Sequence, residues 1–531
     1  MNRPKVMVIG LDGASFNFIG PFCQQGVMPN LNRFRQGSCS GDLVSAYPPI
    51  TPAAWVTFMT GKLPGKHHVL DFEQFRFEDN SLRYNTSADI RAATIWRIVS
   101  DAGRKVAAIN VPMTYPPEEV NGILIAGHNV PNPDSPYTYP EDFKAKLLEQ
   151  IPDYFQVKPD RGNIKSSVIF DSFVTALTKT VDHYYQATRF VDGQIDWDLL
   201  MAVFPHTDMG HLVWRYMDPE ISQQYPQRRE RIMSIFRKLD DALGKLFSLA
   251  EERGAQVVIM SDHGHGRQLG WVRANKLLQK WGYISMTGKF QWFLRRMVRE
   301  YEKWRYKDKY ARPARLVDEK LGIDWSRSKA AVCHTAMWGF LYLNVRGRQP
   351  EGIIEPGEEY EACRNELIER FLAEKDPFTG EALFTDVIKP ETVYGKSSVP
   401  WDCPDLLLAP QEGMKVNRRT RGKWTVKHTD PATAEGTHLL HGLWMAAGDN
   451  IKIDQAFPAS IQDITPTLLT MLGIPVPKDM DGKVMLDMFQ QTPSVHYTEA
   501  KETTTPTKDA GYSAEEEEQI QQHLADLGYL D

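Results

Sequence analysis

In VVIMSDHGHG, residues 257 to 266, an uninterrupted apolar run stops at an acid and a histidine. A run without the alternation of a half-solvated strand is the pattern of a parallel strand buried on both faces. Such a strand needs crossover connections and covering helices, which restricts the chain to an α/β architecture. It also fixes where polar chemistry can sit, because open α/β sheets bind ligands beyond the carboxyl ends of their strands. KVMVIGLDG repeats the design, with Asp12 directly after the run. LLMAVFPHTDMGHLVW follows it with Asp208 and His211, and AEGTHLLHGLWMAAG carries His438 just ahead of another run.

Further short strands are expected at KVAAIN (105 to 110), GILIAG (122 to 127) and DLLLAP (405 to 410), beside KVMVIG, LLMAVF, QVVIMS and GLWMAA. Helical spacing of apolar residues lies between several of them, as in ERIMSIFRKLDDALGKLFSLAEERG (230 to 254). The alternation predicts an α/β sandwich around a mostly parallel central sheet. We divide the chain into a first catalytic part (1–269), an inserted α+β cap (270–400), a second catalytic part (401–495), a linker (496–513) and a C-terminal helix (514–531). The linker is poor in apolar residues, and SAEEEEQIQQHLADLGYLD opens with a capping serine and places acids at a helix N-terminus.

With 531 residues, 42% of them hydrophobic, the chain can bury a large core, and its net charge of -6 gives no general attraction to nucleic acid. Five cysteines without paired spacing argue against both a disulfide framework and a thiolate zinc site, and fit a reducing, cytoplasmic setting. The first strand begins after only four residues, which leaves no room for a secretory signal, and no apolar run reaches the roughly 18 residues of a membrane span. The segment 289–316 holds ten basic and three acidic residues interleaved with aromatics. It reads as a solvated helix face, or alternatively as a peripheral contact with anionic lipid.

One acid after one strand is often only a turn residue or a helix cap. Asp12, Asp208, His211, Asp262, His263 and His438 together form a set of carboxylates and imidazoles suited to zinc or manganese. Thr51, in YPPITPAAWVTFMTGKLPGKHHV, gives such metals a task. Its hydroxyl is a weak nucleophile until a base or metal favours the alkoxide, and two divalent ions about 4 Å apart clamp an in-line phosphoryl displacement. The charge of two such ions is balanced by three carboxylates and one threonine alkoxide.

At these residues the sequence resembles the alkaline phosphatase superfamily, in particular its type I phosphodiesterase/nucleotide pyrophosphatase branch. The resemblance runs through LDG at Asp12, GVMPNLNRF (26–34), TPAAWVTFMTGKLPGKH (51–67), SDHG (261–264) and ITPTLLTMLGIPVPKDMDGK (464–483). It implies an alkaline-phosphatase-like sandwich and metal-dependent hydrolysis of a small phosphate ester, a phosphodiester in preference to a monoester. It also implies two divalent ions, zinc or manganese. By the resemblance Asp12, Thr51, Asp262 and His263 hold one ion, Asp208, His211 and His438 hold the other, and Thr51 is the nucleophile that becomes transiently phosphorylated. Asp208 and His211 are three residues apart where the family has four, which brings His206 and Thr207 into consideration. Asp71 and Phe72 stand where nucleotide pyrophosphatases place a phosphate-binding asparagine, and His67-His68 replaces the usual HG. His128, His206, His265 and His441 are read as supporting or surface groups. A phosphomutase and a non-catalytic binding protein on the same fold are the alternatives. A sulfatase is disfavoured, because TPAAW lacks the cysteine or serine motif that such enzymes convert to formylglycine.

Overall fold

A computed structural model describes residues 3–127, 129–155, 166–208, 214–218, 220–288, 297, 315–316, 321–395, 403–430, 435–500 and 512–526. Its centre is a ten-stranded mixed sheet ordered 455–456, 39–44, 441–447, 255–260, 5–11, 199–204, 106–111, 122–126 and 138–139, with 459–460 also against 39–44. The strands from 255–260 to 122–126 run parallel to one another, and antiparallel strands flank them. Lys5–Leu11 is buried from Val6 onward, so its apolar side chains, each worth about 1.5–3 kcal/mol when withdrawn from water, face protein on both sides. Leu11 pairs with Phe204 and Gly10 with Met260, so three neighbouring strands end almost level. Asp12, Asp208 and Asp262 follow those ends by one, four and two residues.

Two groups of helices cover the sheet. The amphipathic helices Ser167–Gln194 and Pro226–Arg253 pack on each other and on its parallel strands. Thr51–Thr60 is different: all ten of its residues are buried, and it packs with Ile95–Asp101 and Ile464–Met471. Its approach to the sheet depends on Gly10, where an added Cβ would lie 2.6 Å from the Trp55 ring.

Between the central-sheet strands 255–260 and 441–447 the chain forms smaller sheets, which combine residues of the expected cap (270–400) with strands at 406–410, 414–417 and 426–428 beyond its expected end. Ala330–Ala336, Trp338–Leu343, Leu406–Pro410 and Phe384–Ile388 form a four-stranded antiparallel sheet. The strand at DLLLAP, whose apolar run matches those of the central sheet, therefore belongs to the inserted region's sheet instead. Gly270–Arg273 lies between Met414–Asn417 and Val426–His428. The strands at Ala330–Ala336 and Trp338–Leu343 approach residues near Thr51 and His438, where the Trp338 ring sits 5.8 Å from Tyr47 and the Thr437 hydroxyl contacts the Met337 sulfur at 3.5 Å. The basic aromatic segment 289–316 falls outside the described residues, apart from 297 and 315–316.

Ala514–Asp526 is a helix with a reciprocal cap, Glu516 N donating to Ser513 Oγ (3.3 Å) and Ser513 N to Glu516 Oε2 (2.8 Å). It docks on the chain's own body through buried Ile520 and Leu524 and a Tyr115–Tyr512 stack. Among the described residues no helix is long and apolar enough to cross a membrane.

Candidate active site

The level strand ends bring Asp12, Asp262 and His263 together, all fully buried. His263 Nε2 lies 3.2 Å from Asp262 Oδ2, 3.8 Å from Asp12 Oδ1 and 3.3 Å from the Thr51 hydroxyl. Its other ring nitrogen, Nδ1, donates to the Gly264 carbonyl at 3.1 Å, which leaves the Nε2 lone pair facing the carboxylates. Gly13 makes the crossing possible. Its φ is +70°, a Cβ there would meet Asp208 Cα at 3.0 Å, and its N–H donates to Asp262 Oδ1 at 2.9 Å. Trp55 Nε1 donates to Asp12 Oδ2 at 3.4 Å, tying the helix that begins at Thr51 to the same acid. Thr51 is the first residue of that helix, where the macrodipole favours negative charge.

Asp208 is the centre of a second cluster. His438 Nε2 is 3.3 Å from its Oδ1, and His438 Nδ1 donates to the Pro49 carbonyl at 3.2 Å. His438 and His263 stack with centroids 3.7 Å apart, so the two clusters are contiguous. The third member is His265, whose Nδ1 is 3.4 Å from Asp208 Oδ1. The ligand atoms of Asp208, His263 and His265 all lie within 4.8 Å of one another, as do those of Asp12, Asp262 and His263.

Burial and the nearby charges of Asp262 and Asp208 push the Asp12 carboxyl well above the usual range, and burial raises Asp262 as well. Burial also acts against ionised Asp208. The hydrogen bond and charge of His438, with His265 and His263 behind them, outweigh it and hold Asp208 well below its ordinary value. Burial, with His263 alongside, lowers His438 to about 4, so at neutral pH it presents a lone pair. Asp12 Oδ1 and Asp262 Oδ2 are buried and accept no hydrogen bond from any described residue. Orphaned carboxylate oxygens beside fixed imidazole lone pairs are the donor set of a divalent metal centre, and the residues fit one.

His211 lies outside the described residues, as does His128. His206 turns away to the Thr180 hydroxyl (3.0 Å). The Thr207 hydroxyl donates to the Asp12 backbone carbonyl, so it braces the first strand's end. His67 is structural too: Nε2 meets the Thr57 hydroxyl at 3.0 Å and Nδ1 accepts from Val69 N at 3.2 Å. His441 is exposed at the start of its strand. His265 is what the sequence reading missed, and its only local trace is its place two residues beyond His263.

The family model for type I phosphodiesterase/nucleotide pyrophosphatase matches residues 6–443. Among solved structures, human ectonucleotide pyrophosphatase/phosphodiesterase 5 is similar, at 13% identity over 92% of this chain and 100% of that one, with a TM-score of 0.49. The murine protein of the same description shares 13% identity over 88% of this chain and 95% of its own, with a TM-score of 0.47. No curated protein matches the sequence. The family is metal-dependent and cleaves phosphodiester or pyrophosphate bonds, and two Asp/His clusters able to hold metal stand at the sheet edge here. The chain belongs to the type I phosphodiesterase/nucleotide pyrophosphatase family of the alkaline phosphatase superfamily, and is a phosphoric ester hydrolase.

Proposed function

We propose that the protein hydrolyses a small phosphodiester through a phosphothreonine intermediate at Thr51, with two divalent ions, zinc in preference to manganese. The observation that carries this is the buried Thr51 hydroxyl at a helix N-terminus, 3.3 Å from His263 Nε2 and beside the orphaned oxygens of Asp12 and Asp262. Asp12, Thr51, Asp262 and His263 would hold one ion, and Asp208, His211 and His438 the other. Bound there, such ions stabilise a threonine alkoxide and neutralise the phosphoryl oxygens.

The chain's own part is positioning. The helix dipole favours negative charge developing on Thr51 Oγ1, and the Trp55 N–H keeps Asp12 turned toward the site. Thr51 Oγ1 loses its proton and bonds to phosphorus as the P–O ester bond breaks, the departing oxygen takes up a proton and leaves as an alcohol, and water then hydrolyses the Oγ1–P bond, restoring the Thr51 hydroxyl and releasing a phosphate monoester. Met337 and Trp338, which contact Thr437 and Tyr47, sequence neighbours of His438 and Thr51, are our candidates for contact with the leaving group. All five cysteines are buried thiols, which supports a cytoplasmic enzyme.

The test compares bis-p-nitrophenyl phosphate with p-nitrophenyl phosphate, with added zinc or manganese, for wild type and Thr51→Ala. Metal-dependent diester cleavage that drops more than about a hundredfold in the variant is expected. Turnover that survives Thr51→Ala removes the covalent route.

A further inference from the structure

The strand Gly264–Arg267 pairs antiparallel with Gly436–Leu439, and in that register His265 faces His438 directly. Cross-strand partners project from the same face, so two imidazoles separated by more than 170 residues in sequence are delivered to one place. Asp208 Oδ1 lies between them, 3.3 Å from His438 Nε2 and 3.4 Å from His265 Nδ1. Nitrogen and oxygen ligands about 2.0–2.1 Å from a tetrahedral ion are themselves about 3.3–3.4 Å apart, which is the spacing of each of these two imidazole nitrogens from Asp208 Oδ1, and the ligand atoms of Asp208, His263 and His265 all lie within 4.8 Å of one another. His265 is fully buried, and its ring stacks on Trp214 with centroids 6.0 Å apart and an 18° interplanar angle, which restrains its orientation.

From this geometry we infer that His265 is itself a ligand of the ion held by Asp208 and His438. The inference rests on the metal-dependent reading above and adds a residue to it. It also gives the Asp208–His211 spacing a physical context, since an imidazole supplied by the strand after His263 completes a ligand set that does not depend on a helical turn after Asp208. A carboxylate with the imidazoles of His265 and His438 is a donor set suited to zinc and a poor match for magnesium, which prefers oxygen ligands.

The alternative role for His265 is a hydrogen-bond donor that merely orients Asp208. His265→Asn separates the two, because its amide N–H can still reach Asp208 whereas an amide nitrogen does not ligate zinc. Zinc stoichiometry and affinity are measured by calorimetry and elemental analysis on full-length wild type, His265→Asn and His265→Ala, with cobalt absorption as a spectroscopic readout. Expected are two ions in wild type, one tight ion in both variants, a second-site affinity weaker by about a thousandfold or more, and a changed cobalt band. An orienting residue would cost only about 10–100-fold and be rescued by asparagine. Two ions in His265→Asn with wild-type affinity and an unchanged band overturn the inference while leaving the metal-dependent reading intact. Wild type that binds no ion overturns that reading, and the inference with it. A zinc-soaked crystal of wild type, which needs no variant, should place the ion about 2.0–2.1 Å from a His265 nitrogen, and a separation beyond about 3 Å overturns the inference as well.

Discussion

Two buried carboxylate sites in this molecule are built in opposite ways. Asp405, just ahead of the strand Leu406–Pro410, accepts from Arg348 Nη1 (2.9 Å) and Nη2 (2.6 Å), the Leu343 N–H (2.6 Å) and the Tyr360 hydroxyl (2.6 Å). Its charge is neutralised by a bidentate partner and both oxygens are satisfied. Asp12 and Asp262 at the sheet edge are equally buried, yet each keeps an oxygen that accepts no hydrogen bond from a described residue, and burial with neighbouring carboxylates raises the proton affinity of both, Asp262 and Asp208 acting on Asp12 and Asp208 on Asp262. Neither site can be explained by burial alone. A satisfied buried ion pair fixes structure, whereas an unsatisfied cluster of like charges is retained where a cation or a reacting group is to be held.

The Asp405 half of that contrast carries the largest expected effect. Asp405→Ala leaves the Arg348 guanidinium largely buried without its counter-charge and should cost about 3–5 kcal/mol in denaturant unfolding. A loss under about 1 kcal/mol would mean that the pair is not the structural anchor its geometry describes.

At the sheet edge the same kind of change should behave in reverse. Asp262→Asn keeps an acceptor for the Gly13 N–H and removes a charge beside Asp12. Ester hydrolysis should fall by more than about a hundredfold, equivalent to about 2.7 kcal/mol, while the metal-free protein melts at the same temperature or higher. Added zinc should raise the melting temperature of wild type and much less that of the variant. If Asp262→Asn instead destabilises the metal-free protein as Asp405→Ala does, the two sites are alike and the contrast collapses.

Asp71 lies between these extremes and brings pH into the comparison. Burial, then the charge of Glu73, pushes its carboxyl well above the ordinary value, and its attachments are the Phe72 N–H at 2.6 Å and His334 at 3.8 Å. The folded chain therefore holds this proton more tightly than the unfolded chain. The stability Asp71 contributes is complete below its unfolded-state pKa and is lost as pH rises through the folded one. Asp71→Asn should stabilise the protein at pH 7 by about 0.5–2 kcal/mol, with the gain shrinking toward about pH 4. Melting curves across that range check it, and a gain independent of pH would assign the effect to packing.

These sites differ in how far sequence alone exposes them. Asp12, Asp262 and His263 are legible because each follows a strand whose apolar run is a local signal, and the carboxyl edge of a parallel sheet is a general destination for ligands. Thr51 becomes legible only alongside them. The strand at Leu406–Pro410 shows the limit: its apolar run predicts a strand correctly, but membership of a sheet is set by partners far away in the chain, and it joins the cap. His265 escapes for the same reason. GHGR has no apolar alternation to mark a strand, and the register that sets His265 against His438 is a property of the folded pair. Asp405 looks like any acid before an apolar run, since nothing local announces Arg348.

The C-terminal helix supplies the smallest effect and the finest test of the comparison, because its attachment is polar and peripheral. The Tyr512 hydroxyl donates to the Asn129 carbonyl at 2.6 Å, the Tyr115 hydroxyl to Glu516 at 3.1 Å, and the Asn132 amide to Gln519 at 2.6 Å. Each joins neutral or half-exposed groups, so no one of them should be indispensable. Tyr512→Phe keeps the stack on Tyr115 and deletes one hydrogen bond, worth about 0.5–1.5 kcal/mol. If the helix opens as a local unit, its amides should exchange about two- to twelvefold faster in the variant, while those of Lys5–Leu11 and the turnover of a phosphodiester stay unchanged. Uniform acceleration across the central sheet would show instead that this helix unfolds with the core, and that a peripheral polar contact bears on the sheet edge where Asp12 sits.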